Sequence, residues 1–575
     1  MRTESVDILI LGSGGAGLFA ALHAYDQNPS LDILVVTKGL LGKSGCTRMV
    51  QGGFNVVLDP RDSIERHFTD TLKGGRYIND QELAWALVKD APETINELET
   101  RVGCFFDRRE DGTIHQKAFA GQSFDRTVHR GDLTGIEIME RLRDQVLGRG
   151  IHVLEEHRAV ELVTEEDRVV GALVLDIRRG EFVGISARAT LLATGGGPTM
   201  YKIAAPSLEK SEDGLALAYR AGALMRDMEM VQFHPTGLLA GAGRVTGSVL
   251  EEGLRGAGGY LFNARGERYM VHYDKEHLER ATRDVVARAG YMEIMNGRHG
   301  PQGGVFIDVS HLGAAFVRKT FPGMVQRVKD IGCDLATGPV EVSPTAHFHM
   351  GGVAIDAAGH SSLLGLYVAG EDAGGVHGAN RLGGNGVAES TIYGRRVGDA
   401  LGREAMDLSL TITSEAEWER RAVHHTRFWR RGQGGNPAHL LLELKGLMWD
   451  RCGLVRREAD LIACQESLEE LEARVEHLSV GGDREYNLRW GDALNVESLI
   501  TVSQMIVRSA LVRTESRGSH YREDYPHEDH AHWLKTVYVQ QSSESKTMQT
   551  MTRDIAFTRH IPEELKEVVN DVVPR

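Results

Sequence analysis

Short apolar runs that end in glycine recur along the chain and predict buried β-strands followed by tight turns. The first run is Val6–Leu11, and glycines follow it at positions 12, 14 and 17. Helical periodicity then covers Leu18–Tyr25, and a second apolar run covers Leu31–Thr37. A strand, a glycine-rich turn, a helix and a second strand in this order predict a βαβ unit, and hence an α/β fold at the start of the chain.

Two later segments repeat the arrangement of a strand that leads into glycine. Residues 151–195 are predicted to form a β-meander that ends in three consecutive glycines. The three predicted strands are His152–Leu162, Arg168–Leu175 and Glu181–Leu192. At 365–372 another strand ends in a glycine and an acid, and a helix is predicted over 387–401. Late strands of this kind suit a sheet that returns beneath a bound cofactor.

The remaining segments predict separate units. Residues 236–345 mix short elements with glycine-rich turns, which is typical of an inserted domain. Ser414–Val480 is rich in Glu, Arg and Leu at helical spacing and predicts antiparallel helices, and Val496–Arg513 predicts one more helix. From residue 536 the chain is predicted to be polar and irregular up to a short helix near Pro562–Val573.

Charge and composition exclude several classes of protein. The 575 residues include 66 Lys and Arg against 81 Asp and Glu, which gives a formal net charge of −15. Such an acidic chain is not expected to bind nucleic acid non-specifically. No apolar run reaches the roughly 18 residues of a transmembrane helix, and the N-terminus has no signal-like apolar region. We therefore expect any association with a membrane to go through a partner.

The cysteines and histidines give no sign of a metal site. The five cysteines form no CxxC pair, so the chain alone is not expected to hold zinc or an iron–sulfur cluster. Their small number favours a reducing compartment. Four histidines crowd near the C-terminus and are interpreted as part of a solvated polar segment rather than as metal ligands; they are His520, His527, His530 and His532.

The glycine turn after the first strand has the chemistry of a dinucleotide site. Gly12, Gly14 and Gly17 would let a pyrophosphate rest on the free N–H groups of a helix N-terminus, where the helix dipole attracts negative charge. The second strand ends in Thr37 and Lys38, whereas an NAD site usually has a ribose-binding acid there. The NAD signature therefore fails at that point.

Two later features suit a flavin. Glu371 follows a strand and could accept hydrogen bonds from the hydroxyls of a ribityl chain. A helix that opens at Asn385, Gly386 and Val387 would stabilise an anionic reduced flavin through its dipole. FAD is therefore the predicted cofactor.

Long motifs carry a resemblance to a known family. They are GSGGAG at 12–17, QGG at 51–53, AFAGQS at 118–123, ATGGG at 193–197, DMEMVQFHPTG at 227–237, TRDVVARA at 282–289, PTAHFHMGG at 344–352, HGANRLGGN at 377–385 and ESRGSHYREDYP at 515–526. With these motifs the sequence resembles the flavoprotein subunits of succinate dehydrogenase and fumarate reductase, whose relatives include L-aspartate oxidase. The resemblance runs from Asp7 to about Lys535.

The resemblance implies an α/β fold with a Rossmann-like FAD-binding domain in two sequence pieces. An α+β capping domain is inserted between the pieces, and a helical domain follows. The predicted boundaries are 1–235 and 346–412 for the FAD-binding domain, 236–345 for the capping domain, 413–535 for the helical domain and 536–575 for a C-terminal segment.

The resemblance also implies roles for individual residues. Arg283 would act as proton shuttle, and Glu252 and Arg255 would relay protons to it, although Arg255 could equally be a structural ion-pair partner. The implied substrate ligands are His234, Glu251, His347 and Arg381, and arginine is the natural fork for a carboxylate. The implied FAD contacts are Gly12, Gly14, Gly15, Ala16, Gly17, Thr37, Lys38, Ser44, Thr47, Gly52, Gly53, Val160, Thr194, Gly195, Asp213, Glu371, Asn385, Gly386 and Val387.

Three positions depart from the family pattern. Cys46 stands where many members attach FAD covalently through a histidine, so we expect non-covalent FAD. Glu251 stands where a threonine usually donates to a substrate carboxylate, and a carboxylate about 4 Å from another costs about 4 kcal/mol at an effective dielectric near 20. Glu251 is expected to be protonated, to read a different substrate group, or to turn away, either to solvent or to a pair with Arg244 or Arg255. Gly386 replaces a serine and removes one donor near the flavin.

The leading hypothesis is an FAD-dependent enzyme that interconverts a succinate-like dicarboxylate and its fumarate-like alkene by hydride transfer at flavin N5. It would exchange electrons with an iron–sulfur partner protein, and membrane-anchor subunits would hold it on the cytoplasmic face of the membrane. The alternative is a soluble FAD-dependent oxidase or reductase of a substituted or amino dicarboxylate. A non-catalytic flavin-binding protein is a third hypothesis. L-aspartate oxidase is disfavoured, because AFAGQS replaces that relative's amine-binding stretch.

Overall fold

The structure is a computed structural model and describes residues 1–207, 209–429 and 434–566. The first part of the chain forms, in order, β1 (Arg2–Leu11), α1 (Gly15–Gln27), β2 (Ile33–Thr37), β3 (Phe54–Asn55), α2 (Ile64–Gly74), α3 (Gln81–Glu97), β4 (Gln116–Lys117), β5 (Thr127–Val128), α4 (Thr134–Gly148), β6 (His152–Glu155), β7 (His157–Glu165), β8 (Arg168–Asp176), β9 (Glu181–Leu192), α5 (Asp213–Arg220), β10 (Met225–Arg226) and β11 (Val231–Leu238).

The middle of the chain contributes α6 (Gly253–Gly256), β12 (Tyr260–Phe262), α7 (Met270–Tyr273), α8 (Arg283–Met295), β13 (Val305–Asp308), α9 (Ala314–Thr320), α10 (Pro322–Lys329) and β14 (Val340–His349). The last part contributes β15 (Gly352–Ala354), β16 (Leu366–Val368), β17 (Ala373–Gly374), α11 (Asn385–Glu404), α12 (Glu415–His425), α13 (Pro437–Arg451), α14 (Glu458–Val475), α15 (Leu488–Val512), α16 (His530–Trp533), β18 (Lys535–Gln541) and β19 (Met548–Asp554).

A seven-stranded sheet confirms the predicted βαβ unit. Its order is β6-β2-β1-β9-β8-β7, and β16 also pairs with β9. The pairs β1–β2, β1–β9, β2–β6 and β9–β16 are parallel, whereas β7, β8 and β9 form an antiparallel meander. The single strand predicted over His152–Leu162 is instead divided at Glu156, which has a φ of 57° and so breaks the extended chain. β6 therefore joins the parallel part of the sheet and β7 joins the meander.

Helices α1 and α11 pack closely because glycines recur every four residues on α11. A Cβ added at Gly394 would lie 2.6 Å from the backbone oxygen of Ala16, and one at Gly398 would lie 2.5 Å from that of Ala20. Residues four apart share one face of a helix. This packing joins the two pieces of the FAD-binding domain, which are separated by the capping residues in sequence.

The capping region has a hydrophobic core of its own. Its strands form a four-stranded sheet in the order β11-β14-β13-β12, and apolar side chains from Leu238 to Val342 make a buried cluster separate from the main core. The predicted boundaries at 235/236 and 345/346 fall inside β11 and β14, which are paired strands. The boundaries themselves stay a prediction.

The C-terminal part differs from the prediction in two respects. Helices α12–α14 confirm the helices predicted over Ser414–Val480, and α15 begins at Leu488, earlier than predicted. The prediction of an irregular chain after residue 536 was wrong: β18 and β19 form a hairpin, and β18 pairs with β10 of the FAD-binding domain. The hairpin escaped prediction because β19 is largely exposed and polar, so alternation of apolar residues is absent.

Two further predictions concern the C-terminal helix and membrane-spanning helices. Of the helix predicted near Pro562–Val573, a short turn over Glu563–Leu565 is present, and residues 567–573 lie outside the described residues. Among the helices that the structure describes, we find none with the length and apolar character to cross a bilayer.

Candidate active site

Two adjoining cavities lie between the glycine turn and the capping region, and together they are called the cavity below. The part lined by Lys38 and Asp213 is called the outer part, and it shares Gly14, Thr194 and Gly195 with the part that reaches the capping region. Many of the residues predicted to contact FAD line the cavity: Gly12, Gly14, Gly15, Ala16, Thr37, Lys38, Ser44, Thr47, Gly52, Gly53, Thr194, Gly195, Asp213, Glu371, Gly386 and Val387. The topology therefore brings together glycine turns that are far apart in sequence.

Three residues of the predicted FAD set do not line this cavity. Gly17 is buried in α1, where an added Cβ would lie 2.0 Å from a backbone oxygen of the preceding turn. Val160 lies beside the cavity, and its neighbour Ala159 lines the outer part instead. The side chain of Asn385 belongs to a buried amide network, in which Asn55 Nδ2 donates to Asn385 Oδ1 at 2.7 Å.

The outer part of the cavity ends in a group of charged side chains, of which Arg158 is buried and Lys38 and Asp213 are half-buried. Arg158 Nη2 donates to Asp213 Oδ1 at 2.6 Å, and Lys38 Nζ donates to Asp213 Oδ2 at 3.0 Å. Burial opposes ionisation of Asp213, but Arg158 and Lys38 together hold its pKa below the usual range. Burial, together with the charge of Arg158, lowers the pKa of Lys38 to about 8. This polar end suits the adenosine part of a dinucleotide.

The helix ends in the wall fit the chemistry of FAD. Helix α1 is capped by Gly14, which has no side chain to occupy the N–H groups of the first turn. Helix α11 likewise begins after a glycine, Gly384. Both termini lie in the wall of the cavity, where they can bind negative charge. Glu371 accepts a hydrogen bond from the backbone N–H of His349 at 3.0 Å, and burial raises its pKa to about 8.

At the capping end, Arg283 lies in a buried network of acids and amides. Its Nε donates to Glu252 Oε2 at 2.8 Å, and its Nη1 donates to Gln232 Oε1 at 3.1 Å. Arg255 Nη2 lies 3.6 Å from Glu252 Oε1. Glu252 is buried, but Arg283 and Arg255 outweigh the effect of burial and lower its pKa. The three predicted catalytic residues thus form one connected chain.

The two histidines predicted to bind substrate face each other across 5.3 Å between ring centroids. The backbone N–H of Thr236 donates to Nδ1 of His234 at 3.3 Å, so Nε2 carries the proton. That Nε2 is buried and has no partner among the described residues. Burial, followed by the charge of Arg283, lowers the pKa of His234 and of His347 well below the usual range. Both rings are therefore neutral donors near neutral pH.

Arg381 completes the cationic end of the cavity. Its guanidinium lies over the ring of Phe348 at 4.3 Å, and its Nε is buried without a partner among the described residues. Burial and the nearby charge of Arg283 lower its pKa to about 9. A Cβ added at Gly386 would come 2.9 Å from Arg381 Nη1, so the small residue at 386 leaves room for this side chain.

Glu251 has a partner that the sequence did not predict. Instead of pairing with Arg244 or Arg255, its Oε1 accepts a short hydrogen bond from Lys117 Nζ. Lys117 lies in β4, and 134 residues separate the pair in sequence. Burial raises the pKa of Glu251. Glu251 is thus buried in the cavity wall and is not turned to solvent.

Sequence reasoning missed three further residues of this end of the cavity. Lys117 holds Glu251, Gln232 holds Arg283, and Arg327 lines the wall near Val249, whose backbone oxygen accepts from its Nη1 at 2.9 Å. Gln232 carried a signal, because it stands two residues before His234 in a strand and so shares its face. Lys117 and Arg327 carried none, because their positions depend on contacts between distant segments.

The structure also shows the surroundings of Cys46 and of the C-terminal histidines. Cys46 lines the cavity, and burial raises the pKa of its thiol to about 11. His520 is fully buried beside Arg456, whose Nη1 lies 2.8 Å from its Nδ1, so the interpretation of this histidine as solvated was wrong. His532 is exposed as expected. In the described part of the chain, no group of three or more His, Cys, Asp or Glu could hold a metal ion.

A dinucleotide-binding sheet and a cavity that ends in buried cations define the class of protein as an FAD-dependent oxidoreductase. Comparison with known families agrees: residues 7–387 match the FAD binding domain, and residues 441–567 match the fumarate reductase flavoprotein C-terminal domain. The chain belongs to the succinate dehydrogenase and fumarate reductase flavoprotein family, and the predicted fold is confirmed.

Individual relatives cover almost the whole chain. A fumarate reductase (CoM/CoB) subunit of Methanothermobacter marburgensis is 41% identical over 94% of this chain and 97% of its own length. The 8-methylmenaquinol:fumarate reductase flavoprotein subunit of Wolinella succinogenes is 34% identical over 98% of this chain and 92% of its own. Among solved structures, the FrdA chain of an E. coli quinol fumarate reductase variant has a TM-score of 0.92 and 29% identity, covering 98% of this chain and 99% of that one.

Proposed function

We propose that this chain interconverts fumarate and succinate, with Arg283 as the proton shuttle. The observation that carries the proposal is the connected set Arg283, Glu252 and Arg255 beside two neutral histidines and Arg381. Such a set provides cationic and neutral donors for a dianion and a proton path to one of its carbons. FAD, when bound, supplies the two-electron chemistry at its N5 position.

The binding step uses cavity donors that include Nε of Arg381 and Nε2 of His234, both without a partner among the described residues. Arg381 binds one carboxylate of the substrate with its guanidinium fork, and His347 donates to the same group. The Nε2–H of His234, which is buried and unpaired among the described residues, donates to the substrate as well. Nε2 of His234 and Nε of Arg381 would otherwise stay buried without a hydrogen bond among the described residues, which favours an anionic ligand in this position.

The proton step uses the chain from Arg255 to Arg283. Two nitrogens of Arg283 bond to Glu252 Oε2, and Gln232 fixes a third. These hydrogen bonds orient the guanidinium toward the cavity. They also keep it in contact with Glu252, whose carboxyl group can pass a proton back to Arg283. Glu252 in turn lies within 3.6 Å of Arg255, which continues the relay away from the substrate.

An activity assay tests this function directly. The FAD-loaded chain would be given reduced viologen with fumarate, and an artificial electron acceptor with succinate, L-aspartate or substituted succinates. We expect turnover of fumarate or succinate well above that of the other compounds. Turnover of L-aspartate or a substituted succinate without either of these two would contradict the proposal.

We propose further that electrons pass through a separate iron–sulfur protein, and that membrane-anchor subunits hold the complex at the cytoplasmic face of the membrane. The names of the relatives describe subunits of larger enzymes, and one includes a quinol as electron donor. Purification of the tagged chain from its own cells, followed by metal analysis and EPR, should yield a cluster-bearing partner. Full activity of a cluster-free protein with its native donor would contradict this.

One observation favours the alternative substrate class, a substituted or amino dicarboxylate. Oε2 of Glu251 is buried and has no partner among the described residues, so an amine or hydroxyl on a substituted dicarboxylate could donate to it. The same assay decides, because it includes such compounds. The FAD is proposed to be non-covalent, since a thiol with a pKa of about 11 at position 46 is a poor nucleophile at neutral pH.

A further inference from the structure

Glu251 is buried in the wall of the substrate end of the cavity and forms an ion pair with the half-buried Lys117. Lys117 Nζ donates to Oε1 of Glu251, whereas Oε2 is buried without a partner in the described part of the chain. The side chain of Glu251 is only 2% exposed. A buried carboxyl oxygen without a hydrogen bond is unfavourable, and in a ligand cavity it indicates a contact made by the ligand.

The backbone holds Glu251 next to the proposed substrate donors. Leu250 and Thr236 are joined by two hydrogen bonds, each of 2.9 Å, one from the backbone N–H of Leu250 and one from the hydroxyl of Thr236. Glu251 follows Leu250, and His234 lies two residues before Thr236 in β11. Glu251 and His234 are therefore close in sequence to the same hydrogen-bonded pair, Leu250 and Thr236, and both line the same cavity.

We propose that Glu251 binds the second carboxylate of the dicarboxylate substrate in its protonated form, and that Lys117 is the positioning residue that fixes which carboxyl oxygen carries the proton. Lys117 holds Oε1 as an acceptor, so the proton resides on Oε2 and is donated to the substrate. One proton is taken from solvent for each dianion bound. This inference rests on the proposed function, because it assumes a dicarboxylate in the site.

The groups around Glu251 have opposing effects on its pKa. Burial has the largest effect and raises its pKa, Asp132 and Glu252 also raise it, and Lys117 lowers it. Arg327 stands in the same wall. An arriving carboxylate adds a further negative charge, and two carboxylates that share a site do not both stay ionised. Protonation of Glu251 removes this repulsion and supplies an O–H donor for the arriving carboxylate.

Binding measurements test the proposal without turnover. Succinate would be titrated into the FAD-loaded protein between pH 6 and 8.5, and the dissociation constant read from the change in flavin absorbance. For the unchanged protein, the dissociation constant should rise by up to about tenfold per pH unit above the pKa of Glu251, since binding takes up one proton. In Glu251→Gln the amide N–H donates at every pH, so this part of the pH dependence should disappear, with affinity at pH 6 kept within about threefold.

The role of Lys117 is tested by the pH above which succinate binding weakens. In Lys117→Met the cation that favours ionised Glu251 is lost, so the pH above which succinate binding weakens should move upward. A residue that only supported the fold would leave that pH unchanged. Lys319→Met, at an exposed position of α9, is the matched control and should behave like the unchanged protein. Glu251→Thr supplies a hydroxyl and serves as the second variant if the glutamine variant does not fold.

Three results would overturn the proposal. One is a pH profile shared by the unchanged protein and Glu251→Gln. Another is a loss of succinate affinity beyond about tenfold at pH 6 in the glutamine variant, which would mean that a neutral donor at position 251 is not what binds succinate. The third is tighter binding of L-aspartate than of succinate that depends on Glu251. Failure of the proposed function is separate, because it appears as absent fumarate and succinate turnover whatever the binding profile.

Discussion

At the scale of single residues, burial converts ordinary side chains into reactive ones. Arg381 illustrates this, because desolvation and a neighbouring guanidinium lower its pKa to about 9. His234 and His347 stay neutral for the same reasons. A site rich in buried cations gains a strong attraction for dianions, and that attraction is the physical basis of the proposed substrate class.

Arg283→Ala should lower kcat for fumarate by at least about 100-fold, the usual effect of losing a general acid. FAD should stay bound, because the glycine turns that line its cavity are untouched. Steady-state rates with reduced viologen, together with the flavin spectrum of the variant, measure both effects. Arg280→Ala changes an exposed arginine three residues away and is the matched control. Substantial fumarate reduction by the alanine variant would remove Arg283 from the mechanism.

Acid or SDS should release all of the FAD from the purified chain, because position 46 holds a thiol whose pKa burial raises to about 11. The measurement is flavin fluorescence of the denatured polypeptide band after electrophoresis. Cys46→Ser should bind and release FAD in the same way. Fluorescence that stays with the unchanged band and is lost in the serine variant would instead indicate a cysteinyl flavin.

At the scale of elements, close helix packing decides where the two halves of the FAD-binding domain meet. Glycines on α11 let its backbone approach that of α1 so closely that an added Cβ atom would collide with a backbone oxygen of α1. The starts of both helices line the cavity. The glycines that allow the packing, Gly394 and Gly398, lie further along α11 than those that line the cavity.

Gly398→Ala should destabilise the protein by about 1–3 kcal/mol, the usual cost of overpacking a tight interface. The added Cβ would lie 2.5 Å from the backbone oxygen of Ala20, which cannot move aside alone. Thermal unfolding of the FAD-loaded protein measures the effect. Gly446→Ala in α13 is the control: its Cβ meets nothing within 4 Å, so helix propensity should stabilise it by up to about 1 kcal/mol. Equal shifts for the two variants would contradict the packing argument.

At the scale of the whole molecule, Arg513 joins three parts of the chain. It donates to Glu229 Oε1 at 2.6 Å, to Glu515 Oε1 at 3.0 Å and to the backbone oxygen of Lys535 at 2.8 Å. It is fully buried at the end of the helical domain and lies 3.7 Å from Asp227. The C-terminal hairpin, the helical domain and the strand region before the capping domain are fixed together there.

Arg513→Met should destabilise the protein by about 3–5 kcal/mol, because it leaves the buried carboxylate of Glu229 without its cation. By contrast, Glu515 keeps Arg517 and Asp227 keeps Arg226. Burial already raises the pKa of Glu229, and Arg513 opposes that rise, so the variant should bind an extra proton there. The loss of stability should therefore be smaller at pH 5 than at pH 8, as measured by thermal unfolding at both values. Arg489→Met, at an exposed position of α15, is the control. An equal loss at both pH values would contradict the role of the uncompensated carboxylate.

The sequence alone determined the class of fold and the cofactor, because both depend on local patterns. Strand periodicity, GxGxxG spacing and helical spacing arise from contacts within a few residues, so β1, α1, β9 and α12–α14 could be predicted. The motifs also identified Arg283 and Glu252 together, and the two are hydrogen-bonded.

Only the tertiary structure decided which distant residues meet. Lys117 and Glu251 are 134 residues apart, and neither position carries a pattern that indicates the other. The same holds for the pairing of β18 with β10, and for the network around Arg513. Such contacts arise when the chain buries its core and brings separate segments together, and local spacing does not encode that step. For this reason the sequence predicted a dicarboxylate flavoenzyme, whereas the way its unusual Glu251 is held became visible only in the folded chain.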